Sequence, residues 1–203
     1  MGVKAWYVYI REAELCFGHD KDMASQSQSF LTDIQELRRR ARQHIENGAV
    51  TDGYKADRQT VLRILNEALA TEIVCVLRYK HHYYMAAGLN SQAVKDEFLQ
   101  HANEEQKHAD RIAERIVQLN GNPNFSPEGI LTRAHSEYQE GDSLVEMIKE
   151  DLVAERIAIE SYSEMIRYLG NNDPSSRQMM EEILANEEEH AEEMKSLLER
   201  VAK

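Results

Sequence analysis

Asn103-Glu104-Glu105-Gln106-Lys107-His108-Ala109 has a counterpart later in the chain, Asn186-Glu187-Glu188-Glu189-His190-Ala191, and these two stretches decide the fold. In each stretch a glutamate stands three residues before a histidine. On an α-helix this spacing places a carboxylate and an imidazole on one face, one turn apart, which is a metal chelate. A single such pair means little in a chain with 36 acidic residues and eight histidines. Two pairs in register predict a shared metal site.

The register between the two stretches continues upstream, which indicates an internal repeat. Leu69-Ala70-Thr71-Glu72 recurs as Leu152-Val153-Ala154-Glu155, and Tyr79 recurs as Tyr162, both with an offset of 83 residues. The chelating pairs are offset by 82 residues. The sequence therefore predicts two copies of one helical hairpin, each with a glutamate on its first helix and a Glu-x-x-His pair on its second. Six candidate metal ligands follow: Glu72, Glu105, His108, Glu155, Glu187 and His190.

The four candidate carboxylates are expected at one height in the bundle. Turns are predicted near residues 86–90 and 170–173, where glycine and asparagine cluster. Each of the four glutamates then lies about 14 or 15 residues from the turn of its own hairpin. At about 1.5 Å of rise per residue, all four carboxylates lie about 21–23 Å from their turns. Side by side, the two hairpins would bring them together.

Length and composition predict one helical domain preceded by an extension. The chain has 203 residues, 42% of them apolar, with only three prolines and nine glycines, which suits long helices. We assign residues 57–203 to a four-helix bundle and residues 1–56 to an N-terminal extension. In the extension a short amphipathic helix is predicted near residues 30–47, ending at Gly48, because apolar residues recur there at steps of three and four: Leu31, Ile34, Leu37, Ala41 and Ile45.

The connection between the two hairpins indicates the topology. The second helix is expected from about Ser91 to Asn120, and about twenty residues without periodicity follow it, to Gly141. A connection of that length can cross the whole bundle, which makes the second and third helices parallel. The fold class is therefore all-α, a four-helix bundle with one long crossover. The other expected helix starts carry capping residues: Asp57, Asp142-Ser143 and Asp173-Pro174.

Charge, cysteine content and hydropathy narrow the function classes. A net charge of −12 argues against general affinity for nucleic acids and suits a protein that handles cations. Cys16 and Cys75 form no disulfide framework and no Cys-x-x-Cys motif, so we expect a reducing, cytoplasmic location. The apolar run Ala5–Ile10 is too short for a membrane span or a signal peptide. No membrane association is expected.

Several other side chains allow two interpretations. The arginines of Arg38-Arg39-Arg40-Ala41-Arg42 either contact phosphate or form the solvated face of their helix, opposite the apolar stripe, where they pair with Asp33 and Glu36 at helical spacing; we favour the second. Cys75 is expected as a small buried residue. Tyr79 lies two turns beyond Glu72 on nearly the same face, so it either approaches the metals, donating a hydrogen bond or an electron, or is an ordinary core tyrosine. His81 and His82 are expected to face solvent. Asp151 is expected either to orient a ligating histidine or to lie at the surface as an ordinary acidic residue.

The chain resembles bacterioferritin over residues 61–200 or so. The resemblance is carried by Leu65-Asn66, Glu72-Ile73, Tyr79, His108–Ile116, Asp151-Leu152, Glu155 and Met180–His190, in order and spacing. It implies a ferritin-like fold with a di-iron centre in each subunit. By this resemblance, Glu72, Glu105 and His108 hold one iron and Glu155, Glu187 and His190 the other, with Glu105 and Glu187 bridging.

The sequence departs from the bacterioferritin pattern in three places. Gln106 stands where the haem-ligating methionine follows the first bridging glutamate, so we expect no haem. Gln100 replaces a histidine used for iron on the inner cage surface, although Glu104 keeps an acid nearby. The chain ends thirteen residues after His190, where the family has a fifth helix. A homo-oligomer is therefore expected as a dodecamer rather than a 24-mer.

The expected chemistry follows from the ligand set. Buried glutamates repel one another, and two divalent ions remove that repulsion. Oxygen-rich ligation with one imidazole per ion suits Fe(II) or Mn(II). We predict a ferroxidase that oxidises Fe(II) with O2 or peroxide for storage and detoxification. The alternatives are a manganese catalase or rubrerythrin-like peroxidase with the same site, and a DNA-protecting binder of the miniature-ferritin kind.

Overall fold

The computed structural model describes residues 33–88 and 91–201, and every regular element in these ranges is helical. Four long helices form a bundle, and two short ones accompany them. In chain order they are α1 (Ile34–Ala41), α2 (Arg58–Met85), α3 (Ser91–Gln118), α4 (Ile130–Arg133), α5 (Leu144–Leu169) and α6 (Pro174–Val201). The predicted all-α four-helix bundle is confirmed.

Three of the four long helices, α2, α5 and α6, begin at the predicted capping residues. Asp57 accepts a hydrogen bond from the backbone N–H of Gln59, and Ser143 accepts one from Glu146. Asp173 accepts from the N–H of Ser176 at 2.9 Å, in the first turn of α6. Each of these side chains satisfies a backbone donor that has no partner within the helix, and this fixes where the helix starts.

The bundle is built from two hairpins, α2 with α3 and α5 with α6, which contact each other through α2–α5 and α3–α6. Its core consists of two apolar clusters. One contains Leu65, Leu69, Ile112, Tyr162 and Met180, and the other contains Tyr79, Phe98, Ile148 and Met194. The six candidate ligands lie between these clusters along the long helices. The candidate site is therefore closed by packed side chains above and below.

The crossover from α3 to α5 runs along α2 from its first turns to its last. Near the start of the crossover, the N–H of Asn124 donates to Oδ1 of Asn66, and further on the N–H of His135 donates to Oγ1 of Thr71. Near the end of α2, Nε2 of His82 lies 3.0 Å from the carbonyl oxygen of Gln139. The predicted lengthwise crossover is confirmed.

A buried charge cluster joins the crossover to the bundle and corrects two predictions. Asp151 is fully buried and contacts Nε of Arg78 at 2.8 Å and Nδ1 of His82 at 2.9 Å. His82 therefore does not face solvent, while His81 is partly buried against Tyr138. Asp151 is neither a surface acid nor the partner of a ligating histidine. Both errors arise because the crossover, which has no periodicity, covers this end of α2.

The N-terminal helix is shorter than predicted. α1 ends at Ala41, and a separate 3-10 helix spans Ile45–Asn47, because His44 between them has a positive φ of 50°. The expected apolar stripe is not buried: Ile34 is 59% exposed and Ile45 75% exposed. Arg39 pairs with Glu36 at 2.7 Å, as the solvated-face interpretation predicts. The apolar run at residues 5–10, Cys16 and residues 30–32 lie outside the described residues.

Within the described ranges, no helix has the length and apolar character that crossing a membrane requires.

Candidate metal centre

The structure brings all six predicted ligands together in the middle of the bundle. None of them is more than 3% exposed. Their donor atoms form two groups, and within each group all donor atoms lie within 4.8 Å of one another. Glu105 and Glu187 belong to both groups. The first group adds Glu72 and His108, and the second adds Glu155 and His190.

Each histidine directs the same ring nitrogen at carboxylates from both hairpins. Nδ1 of His108 lies 3.0 Å from Oε1 of Glu187 and 3.4 Å from Oε2 of Glu105. Nδ1 of His190 lies 3.2 Å from Oε1 of Glu105 and 3.5 Å from Oε2 of Glu187. The i, i+3 spacing sets the contact within each helix, and the antiparallel packing of α3 on α6 sets the contact between them. The result is a centre with approximate twofold symmetry.

Two tyrosines close the centre from the sides. The hydroxyl of Tyr79 donates to Oε1 of Glu155, and the hydroxyl of Tyr162 donates to Oε1 of Glu72. Tyr79 therefore contacts a candidate ligand, which agrees with the interpretation that it approaches the metals and donates a hydrogen bond. Tyr162 was not among the predicted site residues. The repeat offset that relates it to Tyr79 was the available signal.

The candidate centre carries opposing charges that perturb one another. Burial, and next the charge of Glu105, raise the pKa of Glu72 and of Glu155 well above the usual range. Burial alone would lower the pKa of His190, but its contacts with Glu105 and Glu187 outweigh burial and raise that pKa to about 12. The pKa of His108 is raised for the same reason. Without metal, this centre holds protons at neutral pH.

The donor set fits two divalent ions. Six buried polar atoms of the centre form close charged contacts with one another but no aligned hydrogen bond: Oε2 of Glu72, Oε1 of Glu105, both carboxylate oxygens of Glu187, and Nδ1 of His108 and of His190. Buried polar atoms without aligned hydrogen bonds are costly, so a cluster of them calls for a ligand. Oxygens with one imidazole nitrogen per ion suit Fe(II) or Mn(II).

Further polar residues support the second histidine. Oε2 of Glu104 lies 2.9 Å from Nε2 of His190, so Glu104 has the orienting position that Asp151 was considered for. The ring of His101 stacks on that of His190 at 3.9 Å. Burial, and next the charge of His190, lower the pKa of His101 to about 4. Sequence reasoning missed His101 because its partner Glu193 lies on another helix.

Cys75 is buried, as predicted, and lies beside the centre. Its thiol is 3% exposed, and burial raises its pKa well above the usual range. Nη2 of Arg78 lies 3.5 Å from its sulfur. A protonated, enclosed thiol packs as a small apolar side chain.

Comparisons with known proteins agree with this architecture. Residues 62–203 match the family model of the ferritin-like domain. Bacterioferritin of Mycobacterium tuberculosis is 28% identical over 144 residues, which is 70% of this chain and 86% of that protein. The bacterioferritin-related protein of Bacteroides fragilis, a dodecameric thioferritin, is 30% identical, with a TM-score of 0.70 over 73% of this chain and 89% of that chain. A ferritin-like, diiron-carboxylate protein of Bacillus anthracis is 27% identical, with a TM-score of 0.63 over 70% and 97% of the two chains. This chain belongs to the ferritin family.

Proposed function

We propose that this protein is a ferroxidase, which binds two Fe(II) ions as substrates and oxidises them to Fe(III) for iron storage and detoxification. The observation that carries the proposal is that two groups of donors share Glu105 and Glu187. Shared carboxylates hold two ions close enough to react together. Membership of the ferritin family supports the general role in iron handling.

The shared donors suggest which residue holds which ion. We assign Glu72 and His108 to one Fe(II) and Glu155 and His190 to the other, with Glu105 and Glu187 between them. The four carboxylates balance the charge of two divalent ions. The two histidines must lose their extra protons before they ligate, so iron binding releases protons.

The pairing of the ions matters for the electron count. Each Fe(II) supplies one electron, whereas O2 needs two electrons and two protons to become hydrogen peroxide. Two Fe(II) ions held together supply both electrons. If hydrogen peroxide is the oxidant instead of O2, it accepts two electrons and two protons and gives two molecules of water. The raised pKa values of Glu72 and Glu155 mark where protons reside before iron enters.

We propose that Tyr79 takes part in this chemistry by holding Glu155. Its hydroxyl donates to Oε1 of Glu155 and leaves the second carboxylate oxygen for iron. The contact also places the phenol ring next to the assigned ion, where it can supply an electron. Tyr162 has the equivalent position at Glu72.

Manganese chemistry at the same site is the main alternative. A manganese catalase or a rubrerythrin-like peroxidase would use the same carboxylates and imidazoles, because Mn(II) and Fe(II) prefer similar ligands. Metal content after purification without added metal distinguishes them. The ferroxidase is supported if the purified protein contains iron and if it turns over peroxide far more slowly than it oxidises Fe(II).

DNA protection is the other alternative, and the arginine cluster on α1 is its only support. Glu36 lies 2.7 Å from Arg39 and 3.6 Å from Arg40, so two of these arginines already face a carboxylate. A gel-shift at increasing salt tests the idea, since a complex held by phosphate contacts weakens steeply with salt. We favour the ferroxidase alone.

We propose that the chain assembles as a homo-oligomer, with the dodecamer as the favoured size. The dodecameric relative from Bacteroides fragilis supports this. Large apolar side chains also remain exposed on the neighbouring helices α2 and α5, among them Leu77, Tyr84, Val153 and Tyr168. Light scattering after gel filtration gives the subunit number.

The ferroxidase proposal is tested by anaerobic Fe(II) titration followed by exposure to O2. We expect a fast rise in ferric absorbance that saturates at two Fe(II) per chain. Glu187→Gln removes a shared carboxylate and should abolish the fast phase, whereas Glu188→Gln changes its exposed neighbour and should preserve it. A fast phase that persists in Glu187→Gln rules out the shared site.

A further inference from the structure

A buried histidine joins the last turn of α2 to the end of the crossover. The ring of His82 is fully buried. Its Nδ1 lies 2.9 Å from Oδ2 of Asp151 on α5, and its Nε2 lies 3.0 Å from the carbonyl oxygen of Gln139 on the crossover. Both ring nitrogens therefore lie at hydrogen-bond distance from an oxygen, one on each side of the ring. The proposed ferroxidase chemistry uses none of these residues.

Both of these contacts need a hydrogen. A backbone carbonyl oxygen only accepts hydrogen bonds, so the ring must donate from Nε2 to Gln139. Oδ1 of Asp151 accepts from Nε of Arg78 at 2.8 Å, and the permanent charge of the arginine favours the carboxylate form of Asp151. A second hydrogen must then lie between Nδ1 and Oδ2. Wherever that hydrogen is bonded, His82 and Asp151 together hold one proton more than a neutral histidine beside a carboxylate.

The groups packed around His82 allow this extra proton to leave. Two of them are charged: the carboxylate of Asp151 on α5 and the guanidinium of Arg78 on α2. Because Arg78 stays beside Asp151, loss of the proton leaves no unpaired carboxylate. The remaining neighbours of the ring are the imidazole of His81 at 5.9 Å, the apolar ring of Phe98 on α3 at 5.6 Å, and the carbonyl group of Gln139.

Loss of the proton breaks one of the two contacts of His82. A neutral imidazole has a single hydrogen, which can serve only one of the two oxygens. The carboxylate of Asp151 is the stronger acceptor because it is charged. Nε2 then presents a lone pair to the carbonyl oxygen of Gln139, and two acceptors 3.0 Å apart repel each other. The contact that is lost is therefore the one between α2 and the crossover.

We propose that His82 is a pH-sensitive switch, which holds the end of the crossover on α2 when it is protonated and releases it when it is neutral. The extra proton belongs to the closed form, so low pH favours the closed form and rising pH favours release. Nη1 of Arg78 keeps its contacts with Ser136 and Glu137, both at 3.0 Å, so the released segment begins after Glu137 and ends at the start of α5. The switch lies outside the candidate metal centre and does not depend on the proposed ferroxidase activity.

Nitrogen NMR of the full chain with labelled histidines tests the proton count. His82 is assigned by comparison with His82→Gln, and its two ring nitrogens are followed from about pH 5 to about pH 8, the range in which histidines ordinarily change charge. We expect both nitrogens to carry hydrogen at low pH, and Nε2 alone to lose it as pH rises. A ring that stays neutral or stays doubly protonated throughout overturns the proposal, as does loss of the hydrogen from Nδ1 first.

Hydrogen exchange of residues 138–143 tests the release. At about pH 5 this segment should exchange about tenfold more slowly in the parent than in His82→Gln, and the difference should vanish by about pH 8. Comparison of the two proteins at one pH cancels the direct effect of pH on exchange. The matched control is His81→Gln, because His81 lies next to Tyr138 of the crossover without bonding either oxygen, and this variant should behave as the parent does.

Two outcomes of this comparison overturn the proposal. One is equal exchange in the parent and His82→Gln at low pH, and the other is a loss of the pH dependence in His81→Gln as well. If His82→Gln does not fold, the parent alone decides. Its residues 138–143 are compared with residues 122–126, where the side chain of Asn66 holds the crossover without a histidine. The ratio of the two exchange rates should rise by up to about tenfold per pH unit, the slope for one proton, and a constant ratio overturns the proposal.

Discussion

The hydroxyl of Tyr162 donates a hydrogen bond to Oε1 of Glu72, which belongs to the other hairpin. Its repeat counterpart Tyr79 makes the same contact with Glu155 in the opposite direction. Each hairpin therefore positions one candidate carboxylate ligand of the other. The centre is assembled only when the hairpins dock, so the tyrosines couple formation of the centre to formation of the bundle.

We expect Tyr162→Phe to destabilise the metal-free protein by about 1–3 kcal/mol, because a buried oxygen of Glu72 loses its donor. Tyr79→Phe should cost at least as much, since His101 also loses its contact with the hydroxyl. Urea unfolding of both variants measures the losses. A variant as stable as the parent would show that the hydrogen bond of that hydroxyl contributes nothing to stability.

If Tyr79 supplies an electron, freeze-quenched samples should show a tyrosyl radical that Tyr79→Phe lacks and Tyr162→Phe retains.

Glu155→Gln should separate activity from stability. The raised pKa of Glu155 keeps it uncharged without metal, and an amide has the same shape and still accepts from Tyr79. Metal-free melts should therefore change little. The paired oxidation should disappear because the second Fe(II) loses its terminal carboxylate. The matched control is Glu160→Gln, an exposed position on the same helix. Oxidation at the parental rate would exclude Glu155 as a ligand.

Metal binding and metal-free stability should depend on pH with opposite signs. The pKa of His190 is raised to about 12 from 6.5 in the unfolded chain, so the folded, metal-free protein binds the extra proton. Its contribution to stability is complete below about pH 6.5 and is lost progressively as pH rises towards 12. Metal displaces that proton, so affinity rises with pH.

Two measurements check this pair of trends. Adding Mn(II) to weakly buffered protein should release protons, and melts of the metal-free protein should move to lower temperature between about pH 7 and 9. Metal binding without proton release, or metal-free stability that rises over this range, contradicts the proposed protonation of the centre.

The sequence was sufficient to predict that the six candidate ligands meet in the bundle, because helical rise and the repeat offset are both regular quantities. Glu105 and His108 needed only their spacing, and the repeat located His190. Asp151 could not be placed in this way. Asp151 contacts Arg78 and His82 because the aperiodic crossover covers this end of α2. The spacing of residues along a helix gives no information about the path of the crossover.

The same limit explains why His101 was missed and why the N-terminal helix is shorter than predicted. His101 meets Glu193, 92 residues away, only after α3 and α6 have docked. In the extension, the apolar periodicity predicted a helix to residue 47, but His44 takes a left-handed conformation that ends it. Local pattern predicts an element, whereas its length and its partners depend on packing.

We predict that the protein binds no haem. In bacterioferritins, which the sequence resembles, a methionine follows the first bridging glutamate, and here that residue is the exposed Gln106, whose side chain donates to Asp110. An amide cannot supply the thioether ligand. Expression with ample haem should give no Soret band. A stoichiometric bis-thioether spectrum would contradict the prediction, and Gln106→Met tests whether the missing thioether is the cause.

Replacing Arg78 should be among the most destabilising changes on α2. The guanidinium is fully buried and contacts Asp151 at 2.8 Å, Oγ of Ser136 at 3.0 Å and the carbonyl oxygen of Glu137 at 3.0 Å. Arg78→Met leaves the Asp151 carboxylate buried with only His82 as a partner and releases the crossover from α2. Breaking a buried ion pair in this way costs about 3–5 kcal/mol.

Arg63→Met is the matched control, because Arg63 lies on the same helix and pairs with Glu67 at 2.7 Å while its side chain is 61% exposed. Solvent screens that pair, so the loss should stay below about 1 kcal/mol. Urea unfolding of both variants gives the comparison, and hydrogen exchange should show faster opening at residues 135–139 in Arg78→Met alone. Equal losses would mean that the Arg78 contacts stabilise the fold no more than a surface pair does, and that the crossover is held mainly by the hydrogen bonds that the side chains of Asn66 and Thr71 accept from its backbone.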